Sequence, residues 1–307
     1  MKAGRRPAAS SAWVDARVRP PWPYRLPRSG GGDAVMRVRD GIVTRLLHVD
    51  GEPVVVRAWQ RRDGTVHLRA DASGREACRL AIERTRFALG VDDDYRELYE
   101  SFRSDRLLGG AIRRLRWHRP RRRPWPWEAL AWSITKQLIE SSRAAAIQRR
   151  IVFRWGARHP GPDGAMLRDV PTPALIAGRA PAELAALDLA TGRALALIRS
   201  AREVAAGRID PGHPRDDARL LAIREIGSWT LQCLALYGRG DPDSLPAGDL
   251  GFIKLVGRLA GLGRRATIEE VEDFFAPYAP YRGLAGSFIL AAHYRAASTG
   301  PPLRLAA

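Results

Sequence analysis

The pattern of apolar and polar positions divides the chain into a front part with a period of two and a longer part with the period of a helix. Apolar and polar residues alternate between residues 34 and 70, and Asp-Gly pairs interrupt the alternation at Asp40-Gly41, Asp50-Gly51 and Asp63-Gly64. Such alternation is typical of strands with one buried face, and Asp-Gly is a preferred hairpin turn. We therefore predict a small antiparallel sheet, followed by one helix that ends near Leu89.

Beyond Val91 the apolar residues recur at helical spacing to the end of the chain. The predicted fold class is α+β, with a small antiparallel-sheet N-terminal domain followed by an all-helical core. The domain limits are a disordered basic tail over residues 1–17, an α+β domain over 18–90 and the helical core over 91–300. Two helices of the core are expected to form a hairpin over residues 218–237.

The stretch from Leu220 to Arg258 combines a helix, a tight turn, a second helix and an acid just before a third helix. Gly227 is followed by Ser228, a residue type that often caps a helix. Backbone N–H groups beside such a helix start bind phosphate without reading any base. A helix–Gly–helix turn is also common for purely structural reasons, and the acid, Asp249, is equally suited to cap its helix.

Charge favours a polyanionic partner over other classes of ligand. Lys and Arg together number 51 against 33 Asp and Glu, for a formal charge of +18. Arginine suits bidentate phosphate contacts, so nucleic acid is favoured over membrane. A general enrichment in arginine across the source proteome remains the alternative.

Cysteine content and hydropathy point to the cytoplasm. Cys78 and Cys233 lack metal-ligand spacing, which argues against structural zinc, disulfides and a cysteine-bound iron–sulfur cluster. No segment approaches 18 consecutive apolar residues, and the N-terminus lacks a signal-peptide core. We expect a protein that is not exported.

Three groups of residues carry a resemblance to a known family. They are Ile226-Gly227-Ser228-Trp229-Thr230, the run Leu245 to Leu250 that contains Asp249, and the helix from Trp127 through Gln137-Leu138-Ile139. Together they resemble the helix-hairpin-helix DNA glycosylase superfamily, and the 3-methyladenine DNA glycosylase II branch most. The resemblance covers roughly residues 20 to 297 and implies a helix-hairpin-helix glycosylase core.

The resemblance implies that Asp249 is the catalytic carboxylate, which would stabilise positive charge on the deoxyribose as the N-glycosidic bond breaks. Glycosylases of the superfamily that also nick the strand carry a lysine at the position of Trp229. This chain has no amine there, which predicts a monofunctional enzyme that removes alkylated purines of the 3-methyladenine type from duplex DNA. Core packing is the alternative role for Trp229.

The resemblance also implies the rest of the site. The base pocket would be formed by Trp229, Trp132, Cys233, Leu250 and Leu290. The DNA wedge would be Leu138, with Ile139 as the second candidate and Gln137 beside it, although an ordinary core leucine is the alternative. The phosphate-binding hairpin would comprise Ile226, Gly227, Ser228 and Thr230, and main-chain carbonyls of Leu221, Ile223 and Ile226 would hold a monovalent cation. No other cofactor is implied.

Two departures from the family pattern leave alternatives open. Glu225 replaces a residue that is commonly glycine, so it is less suited to positive φ and would repel phosphate. Cys233, Leu250 and Leu290 stand where relatives tend to carry aromatic residues. A non-catalytic DNA-binding protein of the same fold, or a glycosylase for deaminated or oxidised bases, is therefore the alternative to a nucleoid-associated, monomeric repair enzyme.

Overall fold

The structure, a computed structural model, describes residues 12–299 and begins with a five-stranded antiparallel sheet. The strand order is β1-β5-β4-β3-β2. The strands are β1 Ala12–Val18, β2 Met36–Arg39, β3 Ile42–Val49, β4 Glu52–Gln60 and β5 Val66–Ala72. The predicted sheet is confirmed, and all three Asp-Gly pairs lie at the turns that join its last four strands.

The sheet buries one face against helix α1, Arg75–Leu89. Leu47, Val56 and Leu68 of the strands pack with Ala81 and Ile82 of the helix in one apolar cluster. The period of two places these strand residues on the same face, which is why the alternation in the sequence predicts the core of this part. The Pro-rich segment that follows β1 forms no strand, and its Tyr24 hydroxyl donates to the Leu89 carbonyl.

The predicted disorder of residues 1–17 is wrong for residues 12–17. These residues form β1, which pairs with β5 at the edge of the sheet. Val14 and Ala16 pack on the apolar cluster, and the Arg69 guanidinium lies over the Trp13 ring at 4.5 Å. Residues 14–17 do alternate between apolar and polar side chains, but the Ala, Ser and Arg residues around them are typical of a disordered tail. Residues 1–11 lie outside the described part of the chain.

The remainder is mainly helical. The helices are α2 Arg96–Phe102, α3 Leu108–Arg114, α4 Pro126–Lys136, α5 Ser141–Trp155, α6 Pro173–Ala177, α7 Pro181–Ala185, α8 Thr191–Ala205, α9 Asp217–Leu221, α10 Ser228–Leu234, α11 Leu250–Leu259, α12 Ile268–Phe275 and α13 Arg282–Thr299. The prediction that this part is helical throughout needs one correction, because β6 Arg158–Pro160 and β7 Met166–Arg168 form a small hairpin after α5. Gly164, at positive φ, lies in its turn.

Two apolar clusters hold the helices together. The first joins α4, α5, α8, α9 and α10 around residues such as Ile134, Ile147 and Leu197. The second joins α2, α3 and α11 to α13 around Phe275 and Phe288. The elements of the site are therefore drawn from two separately packed groups of helices. The predicted domain limits at residues 18, 90 and 300 stay predictions.

Some of the arginines that give the chain its positive charge form buried ion pairs. Arg123 lies 2.7 Å from Asp33 and 3.1 Å from the fully buried Glu128, which also pairs with Arg45. Arginines in such pairs are already neutralised, so they are not available to phosphate. Within residues 12–299, no helix is long and apolar enough to cross a membrane.

Candidate active site and DNA-binding surface

The four-residue loop between α4 and α5 presents a leucine to solvent. Leu138 is fully exposed, at 102% of its reference area, and its φ of 55° lies in the left-handed region. A leucine gains nothing from this exposure in the free protein, and a β-carbon at positive φ is strained. Both features are expected of a side chain held out to enter a DNA duplex, and neither fits the alternative of a core leucine.

Gln137 fixes this loop to the hairpin between α9 and α10. Its side-chain amide donates to the Glu225 carbonyl at 2.6 Å and to the Thr230 hydroxyl at 2.9 Å. On the other side, the Arg193 guanidinium donates to the Gln137 carbonyl at 3.0 Å. The sequence predicts Gln137 beside the wedge, and in the structure its side chain connects the wedge loop to the hairpin.

The hairpin turn runs from residue 222 to 227 and ends at an exposed helix start. Gly227 is the N-cap of α10 and Ser228 is its first helical residue, so the expectation that Ser228 would cap the helix is corrected. The N–H groups of a first turn have no preceding helical carbonyl to bind. Gly227 and Ser228 are exposed, which leaves their backbone open to a phosphate.

Glu225 occupies the strained position of the turn, with φ of 74°. A glutamate therefore holds a conformation that glycine adopts without cost. Its carboxylate lies 3.9 Å from the Arg224 guanidinium, and a Cβ added to Gly192 would meet the Glu225 side chain at 3.3 Å. The carboxylate is thus folded toward α8 and partly offset by Arg224.

Two predicted phosphate-contacting residues of the hairpin are turned inward. Thr230 is 1% exposed and its hydroxyl accepts from Gln137, and Ile226 is buried in the first helical cluster. Their side chains cannot reach a phosphate, because they form the underside of the hairpin. Gly227 and Ser228 remain as the surface residues of the predicted group.

Asp249 is held at the start of α11, where it both caps the helix and faces the site. Its side chain accepts from the Gly251 N–H at 2.8 Å. The second carboxylate oxygen, Oδ2, lies 3.3 Å from the Lys136 ammonium at the end of α4. The side chain remains 23% exposed. Asp249 therefore does cap α11, through Oδ1, and its Oδ2 is directed at other groups.

Half-buried and apolar side chains surround this carboxylate. Trp229 packs against Gly248, where an added Cβ would meet the indole at 3.5 Å, and its buried Nε1–H finds no acceptor among residues 12–299. Leu290 lies 3.4 Å from the Cβ position of Gly251, and Leu250 is 40% exposed beside Asp249. An apolar wall of this kind can stack against a flat ring.

Cys233 lies beneath the site and is not reactive. It is 3% exposed. Burial raises the pKa of the Cys233 thiol to about 12, with Lys136 and Asp249 close enough to act on it. A neutral thiol at this position is a small packing group.

Two predicted site residues belong to the core. Trp132 is 4% exposed and its indole N–H donates to Asp33 at 3.0 Å, so it does not line the pocket. Ile139 is partly buried against the first helical cluster, which leaves Leu138 alone as the wedge candidate of this loop. Both corrections have the same cause, since a family resemblance transfers a position along the chain but does not fix what packs against it.

The three carbonyls predicted to hold a cation belong to Leu221, the last residue of α9, and to Ile223 and Ile226 in the turn that follows. The Ile223 carbonyl accepts from the Ile226 N–H at 3.0 Å, which leaves it one lone pair. The cation stays a prediction.

Two residues near Asp249 were missed by the sequence reasoning. Lys136 forms the ion pair described above, and the Tyr294 hydroxyl lies 3.4 Å from the Cβ position of Gly251. Tyr294 is four residues after Leu290 on α13, so helical spacing offered a signal for it. Lys136 directly precedes the Gln-Leu pair of the wedge loop, but only the tertiary contact between the end of α4 and the start of α11 reveals its nearness to Asp249.

Comparison with known proteins gives a consistent result, although no protein-family model matches the chain. The DNA-3-methyladenine glycosylase of Bacillus subtilis is 24% identical over 205 residues, 65% of this chain and 67% of that protein. A Mycobacterium tuberculosis protein described as a probable bifunctional transcriptional activator/DNA repair enzyme AlkA is 27% identical over 207 residues, 67% of this chain and 41% of that protein. The chain thus spans less than half of this second relative. The solved structure of the 3-methyladenine DNA-glycosylase from Archaeoglobus fulgidus matches with a TM-score of 0.79 at 21% identity, over 92% of this chain and 99% of that one.

The chain has the fold of the helix-hairpin-helix DNA glycosylase superfamily, as the sequence motifs predicted. Within that superfamily its sequence is similar to 3-methyladenine DNA glycosylases.

Proposed function

We propose that the protein is a DNA N-glycosylase that removes alkylated purines from duplex DNA in base-excision repair. One observation carries the proposal: three consecutive residues join the parts that such an enzyme needs. Lys136 contacts Asp249, Gln137 contacts the hairpin, and Leu138 projects into solvent. Phosphate contact, base displacement and bond cleavage would therefore occur at one rigidly connected surface.

In the proposed mechanism, the amides at the start of α10 bind a backbone phosphate and fix the register of the protein on DNA. Leu138 enters the duplex and fills the space of the displaced nucleotide, at an unstacking cost of a few kcal/mol. The extruded base then stacks against the indole of Trp229.

Asp249 acts at the sugar. As the N-glycosidic bond breaks, positive charge develops on the deoxyribose, and a nearby carboxylate stabilises it. The exposed side of Asp249 is the side from which a water molecule would attack the same carbon. The alkylated base departs, and an abasic site remains in the strand.

We also propose how the protein binds the DNA backbone and in which state it acts. A monovalent cation held by the carbonyls of Leu221, Ile223 and Ile226 would bridge the hairpin to a phosphate. Binding as a monomer to double-stranded DNA, with a nucleoid-associated cytoplasmic location, completes the proposed picture. The names of the relatives, which describe DNA-3-methyladenine glycosylases, support alkylated purines as the substrate class.

A lesion panel tests the proposal. Labelled duplexes that carry one methylated purine, uracil, hypoxanthine or 8-oxoguanine are incubated with the protein, and abasic sites are then cleaved with alkali. We expect strand cleavage at the methylated purine and binding that weakens steeply with salt. Cleavage only at deaminated or oxidised bases would assign the other substrate class. No cleavage with any lesion, together with salt-sensitive binding, would identify a DNA-binding protein without the chemistry.

A further inference from the structure

We propose that Lys136 is the nucleophile of a second activity, the cleavage of the DNA strand at the abasic site through a covalent imine. The inference rests on the proposed function, because it assumes that Asp249 faces C1′ of the deoxyribose. It differs from that function in the bond that is broken, which is the C3′–O bond of the strand.

The position of the amine supports this role. Lys136 is the last residue of α4, and its Nζ lies 3.3 Å from Oδ2 of Asp249. Its side chain is 34% exposed, so it can reach a bound sugar. A group in contact with the carboxylate that faces C1′ is itself within a few ångströms of C1′. Asp249 is the one carboxylate that lies within ion-pair distance of Lys136 among residues 12–299.

The choice of lysine at this position is unusual for the chain. Of its 51 cationic side chains, only three are lysines, namely Lys2, Lys136 and Lys254. Elsewhere in the described chain, every ion pair that a lysine or arginine forms with a carboxylate is formed by arginine, including the buried ones. Arginine makes the stronger bidentate pair with a carboxylate, but its guanidinium is not deprotonated in proteins. A primary amine is therefore present where a nucleophile would act.

The presence of Lys136 also bears on the prediction, made from Trp229, that the enzyme does not nick the strand. Strand-nicking members of the superfamily were expected to carry lysine at that position, on α10. In this fold, α4 packs against α10, and both helices border Asp249. The amine at the end of α4 reaches the carboxylate without a lysine on α10, so tryptophan at position 229 does not exclude imine chemistry.

The proposed reaction balances without an oxidant or reductant. After base release the sugar ring opens to an aldehyde at C1′. Asp249 takes a proton from the Lys136 ammonium, and the neutral amine attacks C1′. Asp249 returns the proton as water leaves, which gives a protonated imine. The carboxylate then removes a proton from C2′, the electrons form the C2′–C3′ double bond, and the phosphate on C3′ departs. Water finally hydrolyses the imine and frees the amine with an unsaturated aldehyde.

A duplex with a preformed abasic site tests this step separately from base release. The full-length protein is incubated with that duplex without alkali, once with and once without sodium borohydride. We expect strand nicking, and a covalent protein–DNA adduct when borohydride reduces the imine. Mass spectrometry of the digested adduct should locate the DNA on Lys136.

Two variants make the test specific. Lys136→Arg keeps a positive charge beside Asp249 but removes the primary amine, and we expect nicking and adduct to be lost. Lys254→Met removes an exposed lysine of α11 and should nick and trap like the wild type. Nicking by Lys136→Arg, or an adduct on Lys254 or on the N-terminal amine, would overturn the proposal.

The two assays distinguish failure of the Lys136 proposal from failure of the proposed glycosylase activity. Release of methylated purines, measured with alkali, without nicking or trapping would refute the role of Lys136 and leave the glycosylase intact. Nicking of preformed abasic sites without release of any base would refute the glycosylase and leave the amine chemistry in place.

Discussion

Replacement of Leu138 by alanine should separate DNA binding from folding. The side chain is fully exposed in the free protein, so Leu138→Ala removes no buried area. We therefore expect the free energy of unfolding to change by less than about 0.5 kcal/mol. Full burial of a leucine is worth about 1.5–3 kcal/mol. Loss of that burial in the complex corresponds to an affinity about 10- to 150-fold weaker.

Fluorescence anisotropy with a duplex that carries a stable abasic-site analogue measures this effect, and urea denaturation measures stability. Met166→Ala is a matched control, because Met166 is an exposed apolar residue, at 55%, on the β6–β7 hairpin away from the loop. The control should bind like the wild type. Unchanged affinity for Leu138→Ala, or a clear loss of folding stability, would refute the wedge assignment.

Three further predictions concern the supports of the site and the stability of the fold. Glu225→Gly should raise the free energy of unfolding by about 0.5–1 kcal/mol, because glycine adopts positive φ without strain, and urea denaturation measures this change. The same variant should tighten DNA binding, measured by anisotropy, because it removes a carboxylate from the turn. Gln137→Ala should lower the free energy of unfolding by about 1–3 kcal/mol, since it leaves the Glu225 carbonyl and the Thr230 hydroxyl without their donor, as thermal denaturation would show. Burial, reinforced by Arg119, lowers the pKa of His118 to about 4, so the unfolded state binds the extra proton between pH 6.5 and 4. Stability should then fall by about 3 kcal/mol as pH drops through that window, and denaturation of His118→Gln should show a flatter pH dependence.

The sheet was predictable because its signals are local. The three Asp-Gly pairs fix the turns, and alternation fixes the buried face, so neither requires knowledge of the rest of the chain. Strand β1 was missed for a related reason. Its partner is β5, whose paired residues lie 48 to 60 positions further along the chain, and its own residues also suit a disordered tail.

The site was predictable where a motif fixes both residue and position. Leu138 and Glu225 were singled out from sequence alone, and both occupy left-handed backbone conformations in the fold. Trp132 and Thr230 were assigned to surfaces but are buried, because burial depends on what packs against a helix and not on its own sequence. Lys136 could not be foreseen, since its contact with Asp249 spans 113 residues.

The Asp249→Asn variant tests the central claim most directly. Asparagine keeps an oxygen that can cap α11, so the variant should fold, and its binding to duplex DNA should stay close to that of the wild type. Without the negative charge, the single-turnover rate of methylated-purine release should fall by about 10²- to 10³-fold. Base release at the wild-type rate by folded Asp249→Asn protein would contradict the account.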